Sequence, residues 1–213
     1  MRFDLVATRL ATMPESLPPY AEILMPVIAG GGAVRLREGV APGHSPRPAA
    51  VLVLVYPDRI GEARIVLIER ATHEGHHSGE VSFPGGKAEP DDRDLAATAL
   101  REAQEEVGLD SVAAGVTVVG RLEAFWIPVS DFHVTPVVAL AERAPLMEPD
   151  PREVARIVEP RLARFLPDAP IAVVERTIDG WPLRYGAFDV DGLFVWGATA
   201  RILSQLGALF ADR

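Results

Sequence analysis

Two periods of apolar positions divide the chain. Leu95, Ala96, Ala99, Leu100, Ala103 and Val107 form one stripe at helical spacing, with Asp91, Asp92 and Asp94 ahead of it as N-cap candidates and Gly108 behind it where a left-handed cap belongs. This predicts a helix over 95–107. Apolar residues at 202, 203, 206, 209 and 210 predict a second amphipathic helix over 199–210. The remaining pattern is that of strands. The run 49–56 (AAVLVLVY) suits a strand buried on both faces, turn residues 57–61 follow, and 63–69 returns as the second arm of a hairpin. Further strand-like segments lie at 115–123, 134–141, 153–158, 171–178 and 183–189, with a short helix at 160–166. Residues 70–80 are polar and histidine-rich and lead through Val81–Ser82 into Phe83-Pro84-Gly85-Gly86, a strand entering a tight loop. Seven prolines and the triple glycine 30–32 exclude long helices across most of the first 48 residues, so 1–48 reads as an N-terminal arm laid on a domain spanning 49–213. The order of elements predicts an α+β fold, an α/β/α sandwich with a mixed sheet between helices.

Composition narrows the function classes. With 48% hydrophobic residues, a chain of 213 can bury roughly 70% of its unfolded surface in one compact body, and 24% charged residues is ordinary for a globule rather than a disordered chain. A net charge of −9 argues against a nucleic-acid partner, which requires a basic face. The absence of cysteine excludes disulfides, thiolate zinc sites and cysteine nucleophiles. Asp4 and Arg9 interrupt what would have to be a signal-peptide core, and no apolar run nears the ~20 residues of a membrane span, so the expectation is a cytoplasmic protein without a membrane partner. Leu17, Tyr20, Ile23 and Leu24 in the arm suit either a homodimer contact or burial within one chain.

The most informative stretch is Arg101 to Gly108 (REAQEEVG). At about 100° per residue, Glu102, Glu105 and Glu106 share roughly a third of the helix circumference. Like charges at i,i+3 and i,i+4 cost a few tenths of a kcal/mol each, and anions in the last turn oppose the helix dipole by about 0.3–1 kcal/mol more. A solvated acidic face is the common explanation of such a cluster taken alone. A hard divalent cation, Mg²⁺ or Mn²⁺, reverses the sign of these terms by taking oxygen ligands. Phe83-Pro84-Gly85-Gly86 precedes the helix by one loop, where backbone carbonyls of the glycines can approach the same ion.

Gly86, five residues, Asp92, eight residues, then Arg101-Glu102-Ala103-x-Glu105-Glu106-x-Gly108-Leu109 resembles the Nudix box, with Asp92 where the box carries Glu and one extra residue before Arg101. Five fixed positions of this kind arise by chance with probability on the order of 10⁻⁴ in such a chain. Leu67-Ile68-Glu69-Arg70-Ala71 and Gly79-Glu80-Val81-Ser82-Phe83-Pro84-Gly85-Gly86-Lys87 are similar to the additional signature of the coenzyme A pyrophosphatase branch, with Gly75 where that branch usually carries Arg, so that a basic substrate contact is missing unless His76 or His77 takes its place. The resemblance implies a Nudix fold and metal-dependent hydrolysis of the pyrophosphate of coenzyme A or its thioesters, a small-molecule substrate, to 3′,5′-ADP and a 4′-phosphopantetheine moiety. Another nucleoside diphosphate derivative such as ADP-ribose, or a non-catalytic nucleotide-binding module, are the alternatives.

In that reading Glu102 and Glu106 are the chief metal ligands, Glu105 is a ligand or the general base, and Gly86 and Glu153 complete the metal site. Arg101 orients the glutamates, or is a plain i,i+4 partner of Glu105. Arg70 and His77 are candidate substrate contacts; the alternative for Arg70 is a surface pair with Glu69 or Glu80. Trp126 and Trp196 suit either stacking on adenine or, more commonly, a place in the core.

Overall fold

The computed structural model describes residues 1–29, 43–71, 80–178 and 180–211. The chain opens with helix α1 (Phe3–Ala11), a short helix that the sequence pattern did not mark. Nine residues ahead of Pro14 suffice for two turns, and Val6 and Leu10, one turn apart, are both fully buried. Then come β1 (Val27–Ile28), β2 (Arg47–Pro57), β3 (Ala63–Ile65), β4 (Leu67–Arg70), β5 (Val81–Ser82), β6 (Gly85–Lys87) and α2 (Leu95–Val107). The second half carries β7 (Val116–Arg121), β8 (Phe125–Ile127), β9 (Phe132–Ala141), β10 (Val154–Val158), β11 (Ala172–Ile178), β12 (Trp181–Val190), β13 (Leu193–Val195) and α3 (Gly197–Ala208). The expected short helix at 160–166 is a 3₁₀ turn, Leu162–Phe165.

β2 organises the main sheet. It pairs in parallel with β9 on one edge, and antiparallel with β3 and β6 on the other; β7 and β8 pair antiparallel with the far edge of β9. The sheet is mixed, and α2 lies in the crossover that parallel β2 and β9 require. Two smaller sheets accompany it, β10-β4-β5 and β1-β12-β11 with β13 on β12. The expected hairpin arm 63–69 is therefore split. Ala63–Ile65 pairs with β2, whereas Leu67–Arg70 leaves at Val66 to join β5 and β10.

Alternation along β2 sets which face each side chain serves. Val53 and Val55 point into the larger core with Val6, Leu10 and Leu24 of the N-terminal segment and Ile202, Leu203 and Leu206 of α3. Ala50, Leu52, Leu54 and Tyr56 point the other way, onto Ala99, Ala103 and Val107 of α2. Helices thus cover both faces of the sheet, in the α+β arrangement expected. Of the four apolar residues singled out in the arm, Leu24 is fully buried, Leu17 packs at the edge of the larger core, Tyr20 lies beneath the Arg201 guanidinium and Ile23 is half exposed. Among the described residues no helix is long and apolar enough to cross a membrane.

Candidate active site

The acidic face of α2 is held against β6 at the sheet edge. Asp94 caps the helix by accepting from the Ala97 amide (2.8 Å), and Gly108 closes it in the left-handed conformation (φ 65°). Register then places Gly86 opposite Ala50 and Gly85 opposite Val51, directly beneath the last turns of α2. Contact is so close that a Cβ on Gly86 would lie 2.6 Å from Cδ and Oε1 of Glu102. The Gly85 amide donates to Glu106 Oε2 at 2.8 Å. The glycine pair thus meets the glutamates through an N–H and an open backbone, where the sequence had suggested its carbonyls as ligands of an ion.

Arg101 ties the cluster together. Its Nη1 donates to Glu102 Oε1 (3.0 Å) and Glu105 Oε2 (3.1 Å), its Nη2 to the Lys87 carbonyl (3.1 Å), and its Nε and Nη2 grip the two oxygens of Asp92 at 3.1 and 3.0 Å. Arg101 thus makes the i,i+4 pair with Glu105 and a hydrogen bond to Glu102 beside it. Asp92, the departure from the box, has a defined job: its carboxylate also accepts from the Glu89 amide and the Thr98 hydroxyl, both at 2.9 Å, and its side chain is only 8% exposed. Chief among the causes, the Arg101 guanidinium holds Asp92 well below the usual carboxylate range.

The three glutamates differ in environment. Glu106 is 2% exposed, and burial, against the opposing pull of the Gly85 amide and Arg70, pushes its pKa up to about 7. Burial also raises Glu102, with Arg101 opposing. Glu105 is 58% exposed and turns to solvent. Glu153 adds its negative field to both Glu102 and Glu106. Pairing of Val154 with Arg70, and the Ala71 amide on the Glu153 carbonyl, bring it there. Arg70 Nη1 lies 3.8 Å from Glu106 Oε1, while Glu69, one of its two suggested surface partners, is paired with Arg156.

Five of the residues singled out for the metal site, with Arg101 and Arg70, thus gather at one place. His77, together with His73, Gly75 and His76, lies outside the described residues. Trp196 stacks on Tyr185 with ring centroids 4.6 Å apart, a packing role, whereas Trp126 is half-buried and donates to Asp131. Not foreseen from sequence were the Gly85 amide, the part of Asp92, and Ser82, whose buried hydroxyl has no hydrogen-bond partner among the described residues. Alternation of Val81, Ser82 and Phe83 was the available signal for the last, since it turns Ser82 away from the core its neighbours enter.

Among the described residues no three acidic or histidine side chains are already closed around one point. Glu106 is turned onto Gly85 and the other two onto Arg101, yet the donors are all hard oxygens and two are carboxylates raised by burial, an environment that a divalent cation would relieve.

The NUDIX domain family model matches residues 46–172, more than half of the chain. The chain is 35% identical over 192 residues to Nudix hydrolase 15, mitochondrial, of Arabidopsis thaliana, covering 84% of this chain and 66% of that protein. It is 36% identical over 187 residues to Nudix hydrolase 22, chloroplastic, of the same plant, covering 84% and 61%. With an uncharacterized Nudix hydrolase NudL of Yersinia pestis it shares 37% identity over 160 residues, covering 75% and 78%. The chain thus spans less than two thirds of the length of the two plant relatives.

Proposed function

The chain belongs to the Nudix family, and from that premise we propose that it is a metal-dependent hydrolase cleaving the pyrophosphate of coenzyme A or its thioesters to 3′,5′-ADP and (acyl-)4′-phosphopantetheine. The observation that carries the reading is the burial of the Glu106 carboxylate beside Glu102 and Glu153, with the Gly85 amide on one of its oxygens and the Arg70 guanidinium near the other. A fold selected for stability alone would not enclose an anion among anions. Glu102 and Glu106, assisted by Glu153 and the Gly86 carbonyl, are the residues to hold Mg²⁺ or Mn²⁺. Such an ion supplies the positive charge that a phosphoanhydride needs in a protein of net −9.

The chain's own groups divide the remaining work. Arg101 fixes Glu102 and Glu105 in place. Glu105, open to solvent, accepts a proton from the attacking water as the P–O–P bridge breaks, leaving two phosphate monoesters. Arg70 faces the same space as Glu106 and pairs with phosphate oxygens once substrate arrives. Gly75, in place of the branch's Arg, favours a second reading, a hydrolase of another nucleoside diphosphate derivative such as ADP-ribose, built on the same residues.

Turnover of coenzyme A and of ADP-ribose by the purified protein, with Mg²⁺ and then Mn²⁺, separates the two. Coenzyme A is expected to be the better substrate by kcat/KM. A tenfold preference for ADP-ribose transfers the assignment to the second reading, and hydrolysis of neither removes both.

A further inference from the structure

The strand register carries the cleft beyond the pyrophosphate. Gly86, Ala50 and Thr135 lie in one row across β6, β2 and β9, and the next row on the same face, two residues towards the start of β2 and β9, is Pro48, His133 and Trp126. Trp126 alternates with Phe125 and Ile127, both of which pack in the core on the α3 side. Its indole therefore stands on the opposite face, the one that bears α2 and the Glu102 carboxylate. Two residues along the strands and three strand spacings across put Trp126 about 16 Å from Gly86 by backbone. The Glu102 carboxylate lies over Gly86 at one end of that interval and the indole stands at the other, a span on the scale of a nucleoside diphosphate.

The indole is fixed from behind. Its Nε1 donates to Asp131 Oδ1 at 3.1 Å, and the same oxygen holds His44 Nε2 at 2.6 Å. Asp131 sits at φ 57°, a backbone conformation unusual for a residue with a side chain, and its amide is bound to the Ile127 carbonyl. The His44 ring lies beside the indole, centroids 6.2 Å apart and planes tilted by 60°. His133, directly across from Trp126, is exposed on the same face. A half-buried tryptophan with its polar edge anchored and, among the described residues, no aromatic ring stacked parallel on it is a ready surface for a base.

We propose that Trp126, held by Asp131 and flanked by His44, is the platform on which the nucleobase of the substrate stacks while its pyrophosphate lies at the Glu102–Glu106 carboxylates. This deepens the hydrolase reading and rests on it for the chemistry of the ligand. Stacking predicts a preference for purine over pyrimidine nucleotides through ring area alone.

The experiment has two arms. Calorimetry with adenosine 5′-monophosphate, in buffer holding a chelator, compares wild type, Trp126→Ala and Trp126→Phe, each first shown to melt cooperatively. Loss of about 5- to 100-fold in affinity for the alanine variant, with most recovered in the phenylalanine variant, is expected. Steady-state kinetics on the preferred substrate should show the same rise in KM with kcat held within about threefold. Affinity and KM both within twofold of wild type in Trp126→Ala overturn the proposal, as does equal weakening in Trp126→Phe, which would mark a packing role. A wild type that hydrolyses nothing but binds the nucleotide in a Trp126-dependent way defeats the hydrolase reading and supports the base platform.

Discussion

Helices α2 and α3 pack on opposite faces of β2, and each comes close to a neighbour through a glycine, but what the glycine admits is different. At α2 the open position is Gly86, and the atoms that fill it are the Glu102 carboxylate. At α3 it is Gly207, where a Cβ would meet the Phe165 carbonyl oxygen at 1.8 Å, backbone against backbone. α3 buries Ile202, Leu203 and Leu206, and its one buried amide side chain, Gln205, is paired with Pro18, Glu123 and the Glu123 amide. α2 buries Ala99, Ala103 and Val107, and with them a carboxylate whose pKa burial raises to about 7. One helix is built for packing. The other keeps destabilising charge where chemistry needs it.

The largest effect should come from Glu106→Gln. The amide is isosteric and its oxygen can still accept from Gly85, so the fold stands while the ligand charge is gone; turnover should fall on the order of 100-fold or more. Stability should move the other way. A carboxyl whose folded pKa is raised contributes fully below its unfolded value of 4.5 and loses that contribution as pH rises through about 7. Without metal, the glutamine variant should therefore be more stable than wild type by roughly 1–3 kcal/mol at pH 8, with the difference fading towards pH 4. Added Mg²⁺ should raise the melting temperature of wild type and leave the variant where it was. Equal stability at pH 8 would break the contrast between the helices.

Gly86→Ala and Gly207→Ala form a matched pair. The first pushes only the end of a flexible side chain, so the melting temperature should stay nearly constant while turnover drops about tenfold or more as Glu102 is displaced. The second forces backbone apart and should cost about 1–3 kcal/mol in denaturant titrations, with kcat of the folded fraction little changed. If both variants lose stability alike, the β6–α2 contact is structural rather than functional.

What could be read beforehand follows the same division. α2 was legible to the residue, 95–107, because periodicity, an N-cap aspartate and a C-cap glycine all mark it locally. α3 begins two residues ahead of its pattern, at Gly197, and β2 extends past both ends of the AAVLVLVY run. α1 was missed because the prolines of the segment drew the reading, although all of them follow its last turn. The break of 63–69 at Val66 is decided by which sheets lie on either side, and nothing in a uniform apolar run encodes that. At the site, the glutamates and Arg101 were visible as a spacing on one helix. Arg70 and Glu153 could be named only through the family resemblance, and the Gly85 amide not at all, because all three meet the glutamates through β10–β4 and β6–β2 pairing, which sequence distance conceals.

The smallest effect, and the one that tests how α2 is held, concerns Asp92. Its carboxyl is kept well below the usual range, chiefly by Arg101, so the unfolded chain takes up its proton first as pH falls. The stability it contributes is present above about pH 4 and is lost as pH drops through its lowered folded value. Asp92→Asn should accordingly be less stable than wild type at pH 7, and the two should converge between pH 4 and pH 2 in denaturant titrations. Two of the five Arg101 hydrogen bonds go to Asp92, so Glu102 and Glu105 are held by a looser partner in the variant and turnover should fall a few-fold even where the fold is intact. Salt should weaken the difference, because two charges part-open to water are screened, while Gly207→Ala should respond to neither salt nor pH. A constant gap from pH 7 to pH 2 would mean that Asp92 acts through its hydrogen bonds to Glu89 and Thr98 and not through its charge.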